Sequence, residues 1–499
     1  MRKTKIVSTL GPATDPPDVL RAMIAAGLNV ARFNFSHGTH EEHKARLKNF
    51  REVCAETKAN VALLADTKGP EIRLGTFENG KTDLVAGSNF TLTSDTITGN
   101  ATRASITYAG LPGEVSTGTR ILLDDGLIEL IVESVSGNNI LTKVINGGKI
   151  SDRKGVNVPG VSLNMPYICA KDRSDLRFFI ENEFDLIAAS FVRSAKDINE
   201  MREELRRVDS RTKIKIIAKI ENAEGVANAE TILDACDGIM VARGDLGVEV
   251  EYEELPIIQK NLITMCIRKG KPVITATQML ESMIVNPRPT RAETSDVANA
   301  IYDGTSAIML SGETAVGKHP LQAIKTMAKI AERIERSIDY KERFRQGEYQ
   351  METSITNAIS HATVTISNDL NVTAIVTVSL SGNTAQNVTK FRPTCPIIAC
   401  TPDPVIQRQL NLNWGIIPLL TRQETETNEL FNHAVDTAVR AGYLDEGDFV
   451  VLTAGVPVGH SGTTNMIKVH VVGEKILGLS RAQMTNDDEG IMAQEVNRL

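Results

Sequence analysis

The chain has 499 residues, of which 41% are hydrophobic and 23% charged, and its formal net charge at pH 7 is -7. This length accommodates about three domains of ordinary size. The negative charge and the lack of a basic tract argue against a nucleic-acid partner, and no apolar run has the length that a membrane span needs.

Short apolar runs rich in Val and Ile alternate with longer amphipathic stretches. The runs are continuous rather than alternating in polarity, which is typical of strands in a parallel sheet covered on both faces. Eight of them occur, at 5–12, 29–37, 61–69, 185–192, 214–222, 238–247, 271–279 and 306–314. Eight such units predict an α/β fold, a (β/α)8 TIM barrel built from 1–69 and 169–345; a doubly wound sheet is the alternative, and the repeat count favours the barrel.

One interval interrupts this alternation. Residues 70–168 are rich in Thr, Gly and Val, and 121–132 has the pattern of two strands around an Asp-Gly turn. We therefore predict a small β-barrel lid domain inserted after the third barrel strand. The insertion point lies at the carboxyl ends of the strands, where barrel active sites are found, so the inserted domain is well placed to close over one.

A second α/β region follows the barrel. Apolar runs at 373–380, 395–401, 415–420 and 448–455 alternate with helical patterns, which predicts a C-terminal α/β regulatory domain over 350–473. We expect Trp414 to pack within this domain. Residues 474–499 show little apolar periodicity and are interpreted as a mobile tail.

Polar residues stand where the predicted barrel strands end. They are Arg32, Asn34, Ser36 and His37 after the second strand, Asp66, Thr67, Lys68, Glu71 and Arg73 after the third, Lys219 and Glu221 after the fifth, Arg243, Gly244 and Asp245 after the sixth, and Thr277 after the seventh. Two carboxylates can hold Mg²⁺ and leave coordination positions for a substrate phosphate, and arginine and lysine suit a phosphoryl group. The pattern predicts metal-assisted phosphoryl transfer, although Lys219 taken alone is equally well explained as an ion-pair partner of Glu221.

Six segments resemble the signature segments of the pyruvate kinase family, in order and within residues 1 to about 473: NVARFNFSHG, ADTKGPEIR, IIAKIENAEG, MVARGDLGVE, ATQMLESM and MLSGETAVGKHP. The resemblance implies a cytoplasmic homotetramer that transfers the phosphoryl group of phosphoenolpyruvate to ADP, giving ATP and pyruvate, in the final step of glycolysis. It implies Mg²⁺ (or Mn²⁺) and K⁺ as cofactors, and Glu71 points to a K⁺ requirement.

The resemblance also implies roles for individual residues. Catalysis would use Lys219, Arg32, Arg73 and Thr277; substrate would be bound by Arg32, Lys219, Gly244, Asp245 and Thr277; the nucleotide by Asn34, His37, Arg73 and Lys154; Mg²⁺ by Glu221 and Asp245; and K⁺ by Asn34, Ser36, Asp66 and Thr67. Lys219 would stabilise charge on the phosphoryl group in transfer, and Thr277 would lie near the enolate carbon.

A hydroxyl- and glycine-rich loop in the C-terminal region is a second phosphate signal. It comprises Ser379, Ser381, Gly382, Asn383 and Thr384 and stands between a predicted strand and a helix. Backbone N–H groups at a helix start attract anions, and the resemblance implies an allosteric sugar phosphate there. The loop contains no Lys or Arg, so we expect a monophosphorylated effector, a sugar phosphate or AMP; an N-capped turn without a ligand is the alternative.

Other residue types receive structural interpretations. Six scattered cysteines without a C-x-x-C pair indicate reduced thiols, and we expect each to be buried. His37, His40 and His43 open a polar helix and are interpreted as solvated.

Two other functions fit parts of the pattern. A Mg²⁺-dependent carbon–carbon lyase on a barrel would share the metal carboxylates but would not need Arg73, the K⁺ residues or a nucleotide-covering lid. A catalytically inactive sensor would have lost a key residue, and Arg32, Lys219, Glu221, Asp245 and Thr277 are all present.

Overall fold

The computed structural model describes residues 1–347, 353–457, 464–474 and 476. The chain divides into two compact units, one of Met1–Asp339 with Asn411–Gly415 and one of Tyr340–Leu410 with the residues from Ile416 on. In the described residues, no helix combines the length and apolarity that crossing a membrane requires. Apart from residues 474 and 476, the predicted tail 474–499 lies outside the described residues.

The first unit opens with three strands separated by helices. In chain order they are Lys5–Thr9 (β1), Pro17–Ala25 (α1), Val30–Asn34 (β2), His40–Thr57 (α2) and Ala62–Asp66 (β3). Helix α2 begins with a reciprocal cap, since the Thr39 hydroxyl accepts from the Glu42 N–H at 3.3 Å and the Glu42 carboxylate accepts from the Thr39 N–H at 2.9 Å. This cap fixes where the chain turns away from the end of β2.

The inserted segment consists of β-strands. They are Ile72–Arg73 (β4), Lys81–Leu84 (β5), Asn89–Thr93 (β6), Arg103–Ser105 (β7), Arg120–Leu123 (β8), Ile128–Ser136 (β9), Asn139–Asn146 (β10), Gly148–Ser151 (β11) and Gly155–Asn157 (β12). Seven form one sheet in the order β4-β12-β8-β9-β10-β6-β7, and β5 pairs with β11. Strands β8 and β9 pair antiparallel on either side of the predicted Asp125-Gly126 turn. The domain has its own core, with Phe90, Ile121 and Leu130 fully buried.

The chain then returns to the parallel strands and their helices. In order these are Ala170–Glu181 (α3), Leu186–Ala189 (β13), Ala195–Val208 (α4), Lys215–Ile220 (β14), Ala223–Ala227 (α5), Ala229–Ala235 (α6), Gly238–Ala242 (β15), Arg243–Glu249 (α7), Leu255–Lys269 (α8), Val273–Ala276 (β16), Arg291–Asp303 (α9), Ala307–Leu310 (β17), Gly312–Ala315 (α10) and Pro320–Glu335 (α11).

Eight parallel strands close into a barrel in the order β1-β17-β16-β15-β14-β13-β3-β2. Strand β1 pairs with both β17 and β2, which confirms the barrel and rules out the doubly wound sheet. The β domain is inserted between β3 and β13, which are neighbours in the barrel. The insertion therefore leaves the barrel at the carboxyl end of β3, the end at which parallel-barrel active sites lie.

Apolar side chains fill the barrel. The inner cluster includes Val7, Leu64, Ile217 and Met240, each at most 1% exposed, and is joined by Leu412. Leu412 and Trp414 lie in the 411–415 segment that groups with the barrel unit, where the Lys3 ammonium lies 5.2 Å from the Trp414 ring centre. The expectation that Trp414 packs within the C-terminal domain is therefore wrong.

The second unit is α/β. Its elements are Tyr340–Gln346 (α12), Ile355–Asp369 (α13), Ala374–Val378 (β18), Asn383–Thr389 (α14), Ile397–Thr401 (β19), Pro404–Gln409 (α15), Ile416–Leu420 (β20), Thr427–Arg440 (α16), Phe449–Gly455 (β21) and Thr464–Val471 (β22). The sheet order is β20-β19-β18-β21-β22, and only β22 runs antiparallel. The four parallel strands were predicted; β22 was not, because this edge strand is only partly buried and carries polar residues that interrupt its apolar run.

Cysteine burial follows the expectation only in part. Cys236, Cys266 and Cys400 are buried, and burial raises the pKa of the Cys400 thiol to about 12. Cys169, however, is exposed at the start of α3, where its sulfur lies at the helix N-cap. The expectation of burial is wrong for Cys169, because the cap position stands outside the helix, and it is met only in part by Cys54 and Cys395, which are half-buried.

Candidate active site

A cavity of about 430 Å³ lies where the inserted β domain faces the carboxyl ends of the barrel strands. The β domain contributes Arg73, Asp125 and Lys154 to its wall, and the barrel contributes Glu221 and Asp245. Residues predicted from separate parts of the sequence therefore meet in one place. His37 does not line this cavity and is exposed.

Lys219, at the end of β14, is the centre of a buried charge network. Its Nζ lies 3.0 Å from Asp66 Oδ1, 2.9 Å from Glu221 Oε1 and 2.8 Å from Ser190 Oγ, and the residue is only 8% exposed. Burial by itself lowers the pKa of the Lys219 ammonium, but Asp66 and Glu221 outweigh burial and raise it above its ordinary value. The ammonium therefore stays charged, and the ion pair with Glu221 that the sequence offered as an alternative is part of the same network.

Arg32 is held against the other side of Asp66. Its Nε donates to Asp66 Oδ2 at 2.6 Å and its Nη1 donates to the Thr9 hydroxyl at 2.7 Å. Burial alone would raise the pKa of Asp66, but Arg32 and Lys219 together lower it. Two buried cations thus share one carboxylate, and with Glu221 the network contains two cations and two carboxylates.

Ser190 belongs to this network and was not predicted. Its hydroxyl donates to the Thr67 carbonyl at 2.6 Å, lies 3.1 Å from Asp66 Oδ1 and accepts from the Lys219 ammonium. Ser190 follows β13, the fourth barrel strand. A sequence signal for Ser190 is present, because a polar residue directly after a barrel strand is the same pattern that marks the predicted residues.

Glu221 and Asp245 face the cavity as a pair of carboxylates. Glu221 Oε2 accepts from the Phe191 N–H at 2.6 Å, and Phe191 holds a left-handed backbone (φ 54°) to present that donor. Burial, with Asp245 adding to it and Lys219 opposing it, raises the pKa of Glu221 to about 7. Asp245 makes no hydrogen bond or ion pair in the described part of the chain.

These carboxylates fit a divalent cation. Glu221 Oε1 is buried, and the Lys219 ammonium lies 2.9 Å from it. Asp125 of the β domain lies in the same cavity, where burial, then Asp245 and Asp124, raise its pKa. Among the described residues, no three His, Cys, Asp or Glu form a complete metal-binding group. Oxygen ligands in this number suit Mg²⁺, which keeps positions for water and substrate.

The four residues assigned to K⁺ lie together at the ends of β2 and β3. Asn34 and Asp66 are register partners on the two strands, and the Asn34 amide oxygen accepts from the Ser36 N–H at 3.1 Å. Thr67 follows Asp66 directly and is buried. All four offer oxygen atoms, the ligand type that hard cations prefer.

Thr277 and Gly244 are joined directly. The Gly244 N–H donates to Thr277 Oγ1 at 2.8 Å, and that hydroxyl donates to the Ala276 carbonyl at 2.6 Å. Thr277 has a left-handed backbone, with φ 64°. The structure thus brings together two residues that the sequence places on different loops.

The cavity-lining cations of the β domain, Arg73 and Lys154, are each paired with a carboxylate. Arg73 donates to both oxygens of Glu71, at 2.7 and 2.8 Å, and the Glu71 hydrogen bond contributes most to raising the pKa of the guanidinium. Lys154 lies 2.8 Å from Asp124. Both pairs are solvent-accessible, so an incoming phosphate competes with them at low cost.

One of the three histidines, His43, is buried, contrary to the expectation that all three are solvated, and a second, His40, is paired with a carboxylate. His43 is 4% exposed and stacks on Phe35, with ring centres 4.1 Å apart. The His40 ring lies 2.7 Å from Asp175 Oδ1. Helix α2 turns these side chains toward the aromatic cluster between β2 and α3, which the polar sequence around them conceals.

The predicted loop after β18 forms between strand and helix, as expected. The Gly382 N–H donates to Ser379 Oγ at 3.1 Å with Gly382 in the left-handed region (φ 78°), and Asn383 begins α14. Ser381 Oγ is buried without a hydrogen-bond partner. Thr384 instead points inward, where its hydroxyl bonds Thr464 at 2.8 Å. Ligand binding by this loop stays a prediction.

Comparison with known proteins gives consistent matches. The family model for the pyruvate kinase barrel domain matches residues 1–324, and that for the pyruvate kinase alpha/beta domain matches 357–470. Similar curated proteins include the pyruvate kinases of Geobacillus stearothermophilus, 52% identical over 475 residues, Bacillus licheniformis, 50% over 478, and Sporosarcina psychrophila, 48% over 476. Each alignment covers 95% of this chain and 81% of the relative.

Proposed function

The chain belongs to the pyruvate kinase family and is a phosphotransferase, and we propose that it transfers the phosphoryl group of phosphoenolpyruvate to ADP, giving ATP and pyruvate. The observation that carries this proposal is the Lys219 network. A charged ammonium is held by Asp66 and Glu221 beside a cavity that also contains Asp245, with Arg32 buried next to it.

In the proposed reaction, Lys219 and Arg32 bind the phosphoryl group of phosphoenolpyruvate. Both cations are fixed before substrate arrives, so they stabilise the charge that spreads over the transferring group without reorganisation. The Gly244 N–H, which donates to Thr277 Oγ1 in this structure, turns to the substrate carboxylate when substrate binds. Thr277, joined to Gly244, lies beside the enolate carbon and takes part in its protonation together with water, since its own pKa is too high to act alone.

Glu221 and Asp245 would hold Mg²⁺, which would supply positive charge against the negative charge of the reaction. Asn34, Ser36, Asp66 and the Thr67 carbonyl hold K⁺ at the ends of β2 and β3. The carboxylate pair that faces the cavity, and the oxygen-rich set beside it, support these assignments.

The nucleotide is bound under the inserted domain. Residues 70–168 act as a lid, and Arg73 and Lys154 exchange their present carboxylate partners, Glu71 and Asp124, for phosphate oxygens of ADP. Planar bidentate contact from arginine and point charge from lysine suit this task. Asn34 and His37 complete the nucleotide contacts, with His37 reaching the nucleotide from outside the cavity wall.

A coupled assay of pyruvate formation tests the proposal. We expect turnover from phosphoenolpyruvate and ADP that is lost when Mg²⁺ is chelated with EDTA and recovered when it is restored. Folded protein that releases no pyruvate under these conditions, with candidate effectors added, would refute the proposal and direct attention to a lyase or a sensor. The lyase alternative predicts pyruvate release from a carbon–carbon substrate without ADP.

Regulation and assembly are separate parts of the proposal. We infer that a monophosphorylated sugar or AMP binds at Ser379, Ser381, Gly382, Asn383 and Thr384, with Thr384 taking part through its backbone N–H because its hydroxyl is bonded to Thr464. The buried Ser381 hydroxyl without a partner supports this proposal. Unchanged affinity for phosphoenolpyruvate in the presence of sugar monophosphates and AMP would contradict this. A homotetramer is expected from the family, and light scattering at assay concentration measures it.

A further inference from the structure

Arg243 is a buried arginine to which the proposed reaction assigns no task. It begins α7 directly after β15 and is 7% exposed. Its Nη1 donates to Asp296 Oδ1 on α9 at 2.7 Å, and its Nη2 donates to the Thr277 carbonyl at 2.7 Å. Its Nε donates to the Ala276 carbonyl at 3.3 Å. A buried guanidinium is retained only when its donors are satisfied, and here one carboxylate and one short stretch of backbone supply the shortest oxygen contacts, with Met279 Sδ at 2.9 Å and Gln259 Oε1 at 3.5 Å beside them.

That stretch of backbone is strained. Thr277 and Gln278 have φ values of 64° and 54°, in the left-handed region that residues with a Cβ rarely adopt. Each such residue costs about 1–3 kcal/mol and keeps its conformation only where its surroundings impose it. Arg243 donates to the Ala276 carbonyl, which precedes Thr277, and to the carbonyl of Thr277 itself. Its hydrogen bonds therefore restrain the backbone at the strained residue.

The constraint also acts on the Thr277 side chain. The residue after Arg243, Gly244, donates its N–H to Thr277 Oγ1, while Arg243 holds the Thr277 carbonyl. Two consecutive residues of α7 therefore fix both the backbone and the hydroxyl of Thr277. Because Gly244 binds substrate in the proposed function, a shift of either loop would change the distance between the two groups on the substrate.

We propose that Arg243, anchored by Asp296, is a positioning residue that holds Thr277 in its strained conformation and so aligns its hydroxyl and the Gly244 N–H on the substrate. The inference rests on the proposed function and deepens it. Arg243 does not touch the substrate and acts through Thr277.

Arg202 provides a matched control. Its guanidinium donates to the Ala235 carbonyl at 2.9 Å and to Asp237 at 2.7 Å, so it makes the same kinds of contact as Arg243. These contacts lie just before β15, at the opposite end of the barrel from Thr277. Loss of Arg202 therefore reports what the removal of a structural arginine costs.

The test is a double-mutant cycle measured by steady-state kinetics on the full chain. We expect Arg243→Gln to lower kcat by about 10²-fold with little change in KM for phosphoenolpyruvate, the size of effect that a misplaced catalytic group produces. In a Thr277→Val background the same substitution should change kcat less than about threefold, because the group it positions is gone. Arg243→Lys should recover part of the loss, and Arg202→Gln should leave kcat near that of the unmodified chain.

A second measurement separates this inference from the proposed function. Exchange of the pyruvate methyl protons in D₂O, followed by NMR, reports proton transfer at the enolate carbon without phosphoryl transfer. We expect Arg243→Gln to slow this exchange by a factor similar to its effect on kcat. Three results would each overturn the role of Arg243 and leave the proposed function intact. They are a normal rate of proton exchange with slowed phosphoryl transfer in Arg243→Gln, additive losses of kcat in the double-mutant cycle, and a loss of kcat in Arg202→Gln equal to that in Arg243→Gln.

An unmodified chain with no turnover would overturn the proposed function first, and the inference with it. If Arg243→Gln does not fold, Arg243→Lys and Asp296→Asn supply the same comparison. We expect Asp296→Asn to lower kcat in the same direction and to lose its effect in the Thr277→Val background.

Discussion

Replacing Lys219 with methionine removes the central cation of the site and keeps the length of the side chain. The substitution removes contacts to Asp66, Glu221 and Ser190, at 3.0, 2.9 and 2.8 Å. Loss of one preorganised stabiliser lowers kcat by about 10²–10³-fold, which corresponds to about 2.7–4 kcal/mol of activation free energy. We therefore expect Lys219→Met to fold and to lose at least about 10² in kcat.

The structure explains why the variant should fold. Breaking a buried ion pair costs about 3–5 kcal/mol where it leaves a charge uncompensated. Asp66 keeps Arg32 at 2.6 Å, so its charge stays compensated. The pKa of Glu221 is already raised to about 7 by burial, so this carboxyl can take up a proton near neutral pH at little cost.

The assay is coupled pyruvate formation at saturating substrates, with thermal unfolding measured on the same preparations. Lys219→Arg is the control that keeps the charge but not the geometry, and it should retain more activity than Lys219→Met. A kcat for Lys219→Met within about tenfold of the unmodified chain would refute the role assigned to this ammonium.

Three further predictions concern other parts of the chain. Turnover should fall strongly when tetramethylammonium replaces K⁺ as the only monovalent cation. Glu71 cannot supply a positive charge in place of K⁺, and both of its carboxylate oxygens accept hydrogen bonds from Arg73. Full activity without K⁺ would contradict the K⁺ requirement. Burial lowers the pKa of His43, so the stability it contributes is complete above about pH 6.5 and is lost as the pH falls through its lowered pKa. Urea unfolding at pH values on both sides of that window should show a smaller loss in His43→Phe than in the unmodified chain, and an equal loss would argue against this assignment. Leu64→Ala, in the barrel core, should lower the free energy of unfolding by about 2–5 kcal/mol in urea titrations, whereas Leu127→Ala, 67% exposed, should change it by less than about 0.5; equal effects would refute the assigned burial.

The sequence by itself determined the barrel. Eight continuous apolar runs of strand length require a parallel sheet that is buried on both faces, and few folds other than a closed barrel provide one. It also determined which residues gather at the mouth. The carboxyl ends of parallel strands meet at one end of a barrel, so residues as distant as Asp66 and Lys219 could be assigned to one site from their places at strand ends.

Only the tertiary structure decided which of these residues touch and which neighbours complete them. Ser190 stands at a strand end like the predicted residues, but its place between Lys219 and the Thr67 carbonyl follows from the pairing of β13 with β3 across the inserted domain. Likewise, Arg243 and Thr277 lie on separate loops, and their contact depends on the pairing of β15 with β16. Periodicity reports which face of an element is buried, but contacts between side chains far apart in sequence depend on strand register and loop conformation, which are fixed only when the whole barrel closes.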